Sequence, residues 1–138
     1  MSSLSKRVDF ESTMRSLVPG TVREFKKLSC QGDPYRFERW DTDRAGSLCL
    51  YYSFESRDGS RRNVKRIPIR EIEAAYLYLR NSRSFDRSAF KRLCPVSEAG
   101  GPCGYAVVGR LLEALGVGRY SGTRTGFVRA RDRSDDTA

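Results

Sequence analysis

Six cations stand close together between residues 57 and 70: Arg57, Arg61, Arg62, Lys65, Arg66 and Arg70, with Asp58 alone opposing them. The chemistry open to such a group is polyanion contact. A guanidinium presents a rigid fork of N–H donors that fits phosphate oxygens in pairs, and a lysine adds a point charge. Arg83, Arg87, Lys91 and Arg92 form a second set, and Arg119, Arg124, Arg129, Arg131 and Arg133 a third. Phosphate contacts of this kind give affinity without reading bases. A hairpin tip carrying arginines can enter a groove, and an arginine-rich tail can add affinity. The expected nucleic-acid surface is therefore Arg57, Arg61, Arg62, Lys65, Arg66, Arg70, Arg87, Lys91, Arg92 and Arg124. The competing view makes each set a separate solvated face. Tyr35, Trp40, Tyr51 and Tyr120 offer rings on which bases of a single strand could stack; Trp40 and Tyr51 equally suit the core or its rim.

Other chemistries find less support. The chain has no histidine, which removes His-based general bases, the Ser-His-Asp constellation and mixed Cys/His zinc fingers. Cys30, Cys49, Cys94 and Cys103 are separated by 19, 45 and 9 positions, unlike the paired knuckles of structural zinc sites. Cys30 and Cys49 read as buried thiols, whereas Cys94 and Cys103 flank one loop and could approach each other, a conditional disulfide there being the alternative to reduced thiols. Glu24-x-Lys26, with Asp33, Glu38, Asp41 and Asp43, has the local form of a magnesium nuclease but not its structural context. Gly100-Gly101-Pro102-Cys103-Gly104 precedes a helix and could present backbone N–H groups to an anion such as a nucleic-acid phosphate; it lacks the Lys-Ser/Thr ending of a P-loop and the G-x-G-x-x-G pattern, so a plain loop and helix N-terminus is the favoured reading. No cofactor and no metal is expected.

These residues need a scaffold, and 138 residues suffice for one domain. The formal charge of +9 favours polyanionic partners: nucleic acid, expected to be DNA, or an acidic protein partner. The first ten residues contain no apolar signal region, and no apolar run reaches the length of a membrane span. The expectation is a cytoplasmic protein with no membrane contact and reduced thiols.

Along the chain, residues 1–7 are expected to be a flexible start, 8–129 a single domain and 130–138 a disordered polar tail. Val8–Leu17 reads as a helix stopped by Pro19-Gly20. Residues 21–30 show both helical spacing and strand context, with a lean towards strand. Tyr35–Asp41 alternates as a strand, with Tyr35, Phe37 and Arg39 in step and Trp40 near its end. Ser47–Phe54 is the most hydrophobic strand, with Leu48, Leu50, Tyr52 and Phe54 on one face. Asp58-Gly59 is a hairpin turn, since glycine tolerates the positive φ such turns need, and Asn63–Ile67 is the partner strand. Pro68 is placed at the first helical position. Ile69, Ile72, Tyr76 and Leu79 then make the apolar stripe of a helix reaching Asn81, with Glu71 and Glu73 at its positive end. Residues 82–85 read as a linker, Asp86 as the N-cap of a short helix stopped by Pro95, and 97–104 as a loop. Tyr105–Leu115 is a helix closed by Gly116, and residues 117–128 make a hairpin. The result is α+β: an antiparallel sheet of three to four strands packed with three to four helices. Exposed strand edges leave room for a homodimer.

Two segments, S-R-D-G-S-R-R-N-V-K-R-I-P-I-R-E-I-E-A-A-Y and G-P-C-G-Y-A-V-V-G-R-L-L-E-A-L-G, resemble small uncharacterised bacterial proteins carried by phages and integron gene cassettes. The resemblance spans about half the chain. It implies an accessory role on mobile DNA, either DNA binding or the blocking of a host defence or nucleic-acid enzyme, and brings no catalytic residues with it.

Overall fold

The computed structural model describes residues 3–29, 32–56 and 58–130. Helix α1 (Ser3–Leu17) starts inside the stretch expected to be a flexible lead. A four-stranded antiparallel sheet follows, made of β1 (Glu24–Phe25), β2 (Tyr35–Thr42), β3 (Leu48–Glu55) and β4 (Arg62–Pro68), in that spatial order. Helix α2 (Ile69–Arg80) leaves β4 directly. Strand β5 (Ser84–Phe85), helices α3 (Arg87–Leu93), α4 (Pro95–Ala99) and α5 (Cys103–Ala114), and strands β6 (Gly118–Tyr120) and β7 (Phe127–Arg129) complete the order. The α+β class is the expected one, with five helices among the described residues and a second sheet, β5-β7-β6.

Strand β2 holds a bulge between Phe37 and Arg39, opposite Tyr52 and Tyr51. The extra residue resets the alternation. Phe37 faces the core, Glu38 and Arg39 both turn outward, and Trp40 turns inward to donate its indole N–H to the Val18 carbonyl at 2.8 Å. Arg39 is therefore not in step with Tyr35 and Phe37, as simple alternation predicts. On β3, Leu50 and Tyr52 are buried against the helices as expected. The β3–β4 tip turns at Asp58-Gly59, where Gly59 has φ +72° and Asp58 accepts from the Ser60 N–H and from the Ser56 and Ser60 hydroxyls. Those bonds, the Ser60 hydroxyl foremost, hold the Asp58 carboxyl at about 2.

Pro68 is the N-cap of α2, still extended at φ −60° and ψ 138°, so the helix begins at Ile69, one residue later than expected. Glu71 does more than face the helix dipole. It is 3% exposed, and its carboxylate accepts from the Val96 and Ser97 N–H groups and the Ser97 hydroxyl at 2.9, 3.0 and 2.7 Å. Those donors open α4, so the carboxylate caps a second helix across the core. Pro95 begins α4 rather than simply ending α3, and the expected 97–104 loop shrinks accordingly. Asp86 caps α3 through the Ala89 N–H, as its position predicts.

Helix α5 is the centre of the molecule. Residues 104–109, Leu111 and Leu112 are all buried, so nearly its whole circumference is covered, not one stripe. Its small residues admit close neighbours: a Cβ on Gly109 would stand 1.9 Å from the Phe127 ring. Gly126, at φ +76°, brings β7 onto Phe85 and Tyr105. Phe85, Phe90, Tyr105 and Phe127 form one aromatic cluster with ring centres 5.5–6.5 Å apart. The residue 82–85 segment thus carries a strand where a linker is expected. Its pairing to β7 is long-range, Phe85 lying opposite Phe127.

Candidate nucleic-acid interface

The structure divides the expected basic residues between two environments. On the solvent face of the large sheet, arginines sit beside carboxylates: Arg36 with Glu24 at 3.7 Å, Arg39 with Asp41 at 3.3 Å, Arg62 with Glu38 at 2.6 Å and Arg66 with Asp43 at 3.4 Å. The Ser53 hydroxyl also donates to Glu38, and this bond, with Arg62, holds the Glu38 carboxyl below its ordinary range. Asp43 is likewise lowered, foremost by the Ser47 N–H. Arg39 also lies over the Tyr51 ring at 4.3 Å.

The 57–70 group is therefore dispersed rather than gathered at one tip. Arg57 lies outside the described residues, and Arg61 is exposed beside the turn. Arg62 and Arg66 point outward into ion pairs, whereas Lys65 is half-buried with its stem near Gly100. Arg70 belongs to α2 and donates to the Ser47 hydroxyl. Glu24 of the nuclease-like motif is engaged by Arg36, and among the described residues no three His, Cys, Asp or Glu side chains gather to hold a metal ion. Cys94 and Cys103 are free thiols: Cys94 is buried, pushed up to about 12 mainly by that burial, while Cys103 meets the Tyr52 hydroxyl at 3.1 Å. Cys30, Arg131 and Arg133 lie outside the described residues.

The other environment begins at the end of α2. Between residues 80 and 130 there are nine Lys and Arg against three Asp and Glu, whereas residues 24–68 hold ten against seven. Among the described residues Arg110 alone of those nine forms an ion pair, with Glu113 at 2.8 Å. Arg80, Arg83 and Arg129 meet at one end of the small sheet: the Arg129 side chain donates to the Arg80 carbonyl at 3.3 Å and its N–H to the Arg83 carbonyl at 3.0 Å. Lys91 and Arg92 are exposed on α3, Arg92 lying 5.3 Å from the Tyr78 ring centre. Arg124 is exposed on the β6–β7 loop.

Between the β1–β2 end of the large sheet and the helical half, a cleft of about 350 Å³ opens. Its walls come from the segment after β1 (Lys27, Leu28, Ser29), the start of β2 (Tyr35), the starts of α3 (Arg87) and α5 (Pro102, Cys103, Tyr105, Ala106), and the β6–β7 connection (Tyr120, Gly122, Thr123). Among the described residues no carboxylate lines it. Lys27 Nζ stands 5.6 Å from the Tyr35 ring centre. The Arg87 guanidinium lies 4.7 Å from that of Tyr105 and donates to the Pro102 carbonyl at 3.5 Å. Tyr105 is the floor: its hydroxyl donates to the Phe85 carbonyl at 3.0 Å, and burial pushes it up to about 12 against the pull of Arg87. The Tyr35 hydroxyl is also raised, by burial first and then by Cys103, with Arg87 opposing.

Three separate sequence signals thus converge: Arg87, the rings of Tyr35 and Tyr120, and the glycine-rich approach to α5. Lys27, Ser29, Tyr105 and Thr123 are additions from the structure, and no local motif marks them. Searched against family models, curated proteins and solved structures, the chain matches none.

Proposed function

We propose that this protein binds nucleic acid without altering it chemically, and does so through its residue 80–130 half and the adjoining cleft. One observation supports this above others: eight cations there (Arg80, Arg83, Arg87, Lys91, Arg92, Arg119, Arg124 and Arg129) lack a carboxylate partner among the described residues, while the exposed sheet arginines are paired. A cation already held by a carboxylate projects little field. An uncompensated one draws counterions that a phosphate backbone displaces on binding. An accessory role on mobile DNA belongs to the same proposal.

The test is a fluorescence-anisotropy titration of labelled oligonucleotides at several salt concentrations. The Arg83→Ala/Arg87→Ala/Arg129→Ala variant is expected to flatten the slope of log affinity against log salt by about 2. Arg62→Ala/Arg66→Ala is expected to leave it nearly unchanged. Absence of binding at low salt removes the proposal and directs the search to an acidic protein partner.

A further inference from the structure

Resting on the nucleic-acid reading above, we infer that the cleft between the large sheet and the helical half receives one unstacked nucleotide, which makes the protein prefer single strands to duplex. At about 350 Å³ the cleft falls at the small end of ligand-sized pockets. A base inside a duplex is held in the stack and cannot enter such a pocket; a single-stranded base can turn out into it. The lining supplies each group that a nucleotide needs. Tyr35 and Tyr120 offer ring surface to a base. Arg87, set over the buried Tyr105 ring and tied to the Pro102 carbonyl, is a guanidinium held in place before any ligand arrives. It presents its second face to an incoming base or its fork to a phosphate. Lys27, 5.6 Å from the Tyr35 ring centre, adds a second cation, while Ser29 and Thr123 are exposed lining residues whose hydroxyls serve as donors or acceptors for base edges. The larger groove between β4 and α4, about 900 Å³, is lined by Arg44, Lys65 and Arg66 together with Asp43, but it offers a base the single ring of Tyr51 where the small cleft offers Tyr35, Tyr105 and Tyr120. The small cleft therefore suits the nucleotide better.

The experiment compares a short fluorescein-labelled oligothymidylate with a DNA hairpin of the same number of phosphates, at equal salt, on the full chain. The single strand is expected to bind roughly tenfold more tightly. Tyr35→Leu is expected to lower single-strand affinity roughly tenfold and to leave hairpin affinity within about twofold. Thr123→Trp blocks the mouth from an exposed loop, so it tests the cleft without touching the core, and is expected to reproduce the selective loss. Equal binding of strand and hairpin, or equal loss of both in Tyr35→Leu and Thr123→Trp, overturns the nucleotide cleft while leaving the cationic interface standing. Failure of both probes to bind at low salt overturns the nucleic-acid reading and the cleft together.

Discussion

The two sheets use arginine in opposite ways. On the four-stranded sheet, Arg36, Arg39, Arg62 and Arg66 each have a carboxylate within 3.7 Å, and their charge is spent inside the molecule. Around the three-stranded sheet, the Arg129 side chain donates to the Arg80 carbonyl and its backbone N–H to the Arg83 carbonyl, and among the described residues none of Arg80, Arg83 and Arg129 has a carboxylate partner. The residue type is the same, and its neighbours decide whether it acts as surface structure or as field. A count of cations per segment does not register this pairing, which takes up Arg62 and Arg66 of the 57–70 group and, among the described residues, Arg110 alone after residue 80.

The contrast extends to stability, where the largest effect is expected at the small sheet. Phe127 is fully buried against Gly109, Tyr105 and Tyr120. Phe127→Ala is expected to lower unfolding free energy by about 3–5 kcal/mol in a urea titration. Arg39→Ala, on the exposed face of the large sheet, is expected to cost under about 1 kcal/mol. Equal effects would erase the distinction between a packed helical half and a sheet face held by surface pairs.

An intermediate effect is expected at Glu71. Glu71→Gln keeps the shape but removes the charge that three donors of α4 share, at a cost of about 1–3 kcal/mol. Amide hydrogen exchange should quicken first at Val96 and Ser97, ahead of the rest of the core. Unchanged protection there would mean that α4 is fixed by packing alone.

The smallest effect is expected from acid, and it should fall on the large sheet. The folded-state pKa values of Glu38, Asp43 and Asp58 are depressed by the donors around them. Their contribution is complete above the ordinary carboxylate range and is lost as pH falls through the folded values, about 2 for Asp58. Sheet amides should accordingly lose exchange protection between about pH 4 and 2 before the α5 amides do. Simultaneous loss in both regions would show that the carboxylates stabilise the molecule as a whole.

Elements whose causes are local were legible in the sequence. Asp86 capping α3, Asp58-Gly59 at the tip and the strand over Leu48–Glu55 all depend on neighbours a few residues away. What was not legible depends on distant partners. Ser84 and Phe85 become a strand because Val128 and Phe127 lie opposite, and nothing within residues 82–85 announces that pairing. Arg39 turns outward because a bulge intervenes, a feature that keeps Trp40 in the core. Glu71 looked like a first-turn acid, and its capped helix lies about 25 positions later. For the site, Arg87, Tyr35, Tyr120 and the glycine-rich turn were individually visible, but their convergence is tertiary. The pairing of Arg62 and Arg66 was hidden for the same reason, since Glu38 and Asp43 come from another strand and its turn.

The cleft has a further consequence for ligand linkage. Lys27 and Tyr35 come from the four-stranded side, whereas Arg87, Tyr105 and Tyr120 come from the helical side. Neither side contains the cleft by itself, so it exists only when the two are docked. Any ligand seated there favours the docked state by mass action. At a hundredfold excess over its dissociation constant it would add about 2.7 kcal/mol to the free energy of global unfolding. A ligand bound there would thus act as a thermodynamic clasp between the two sides.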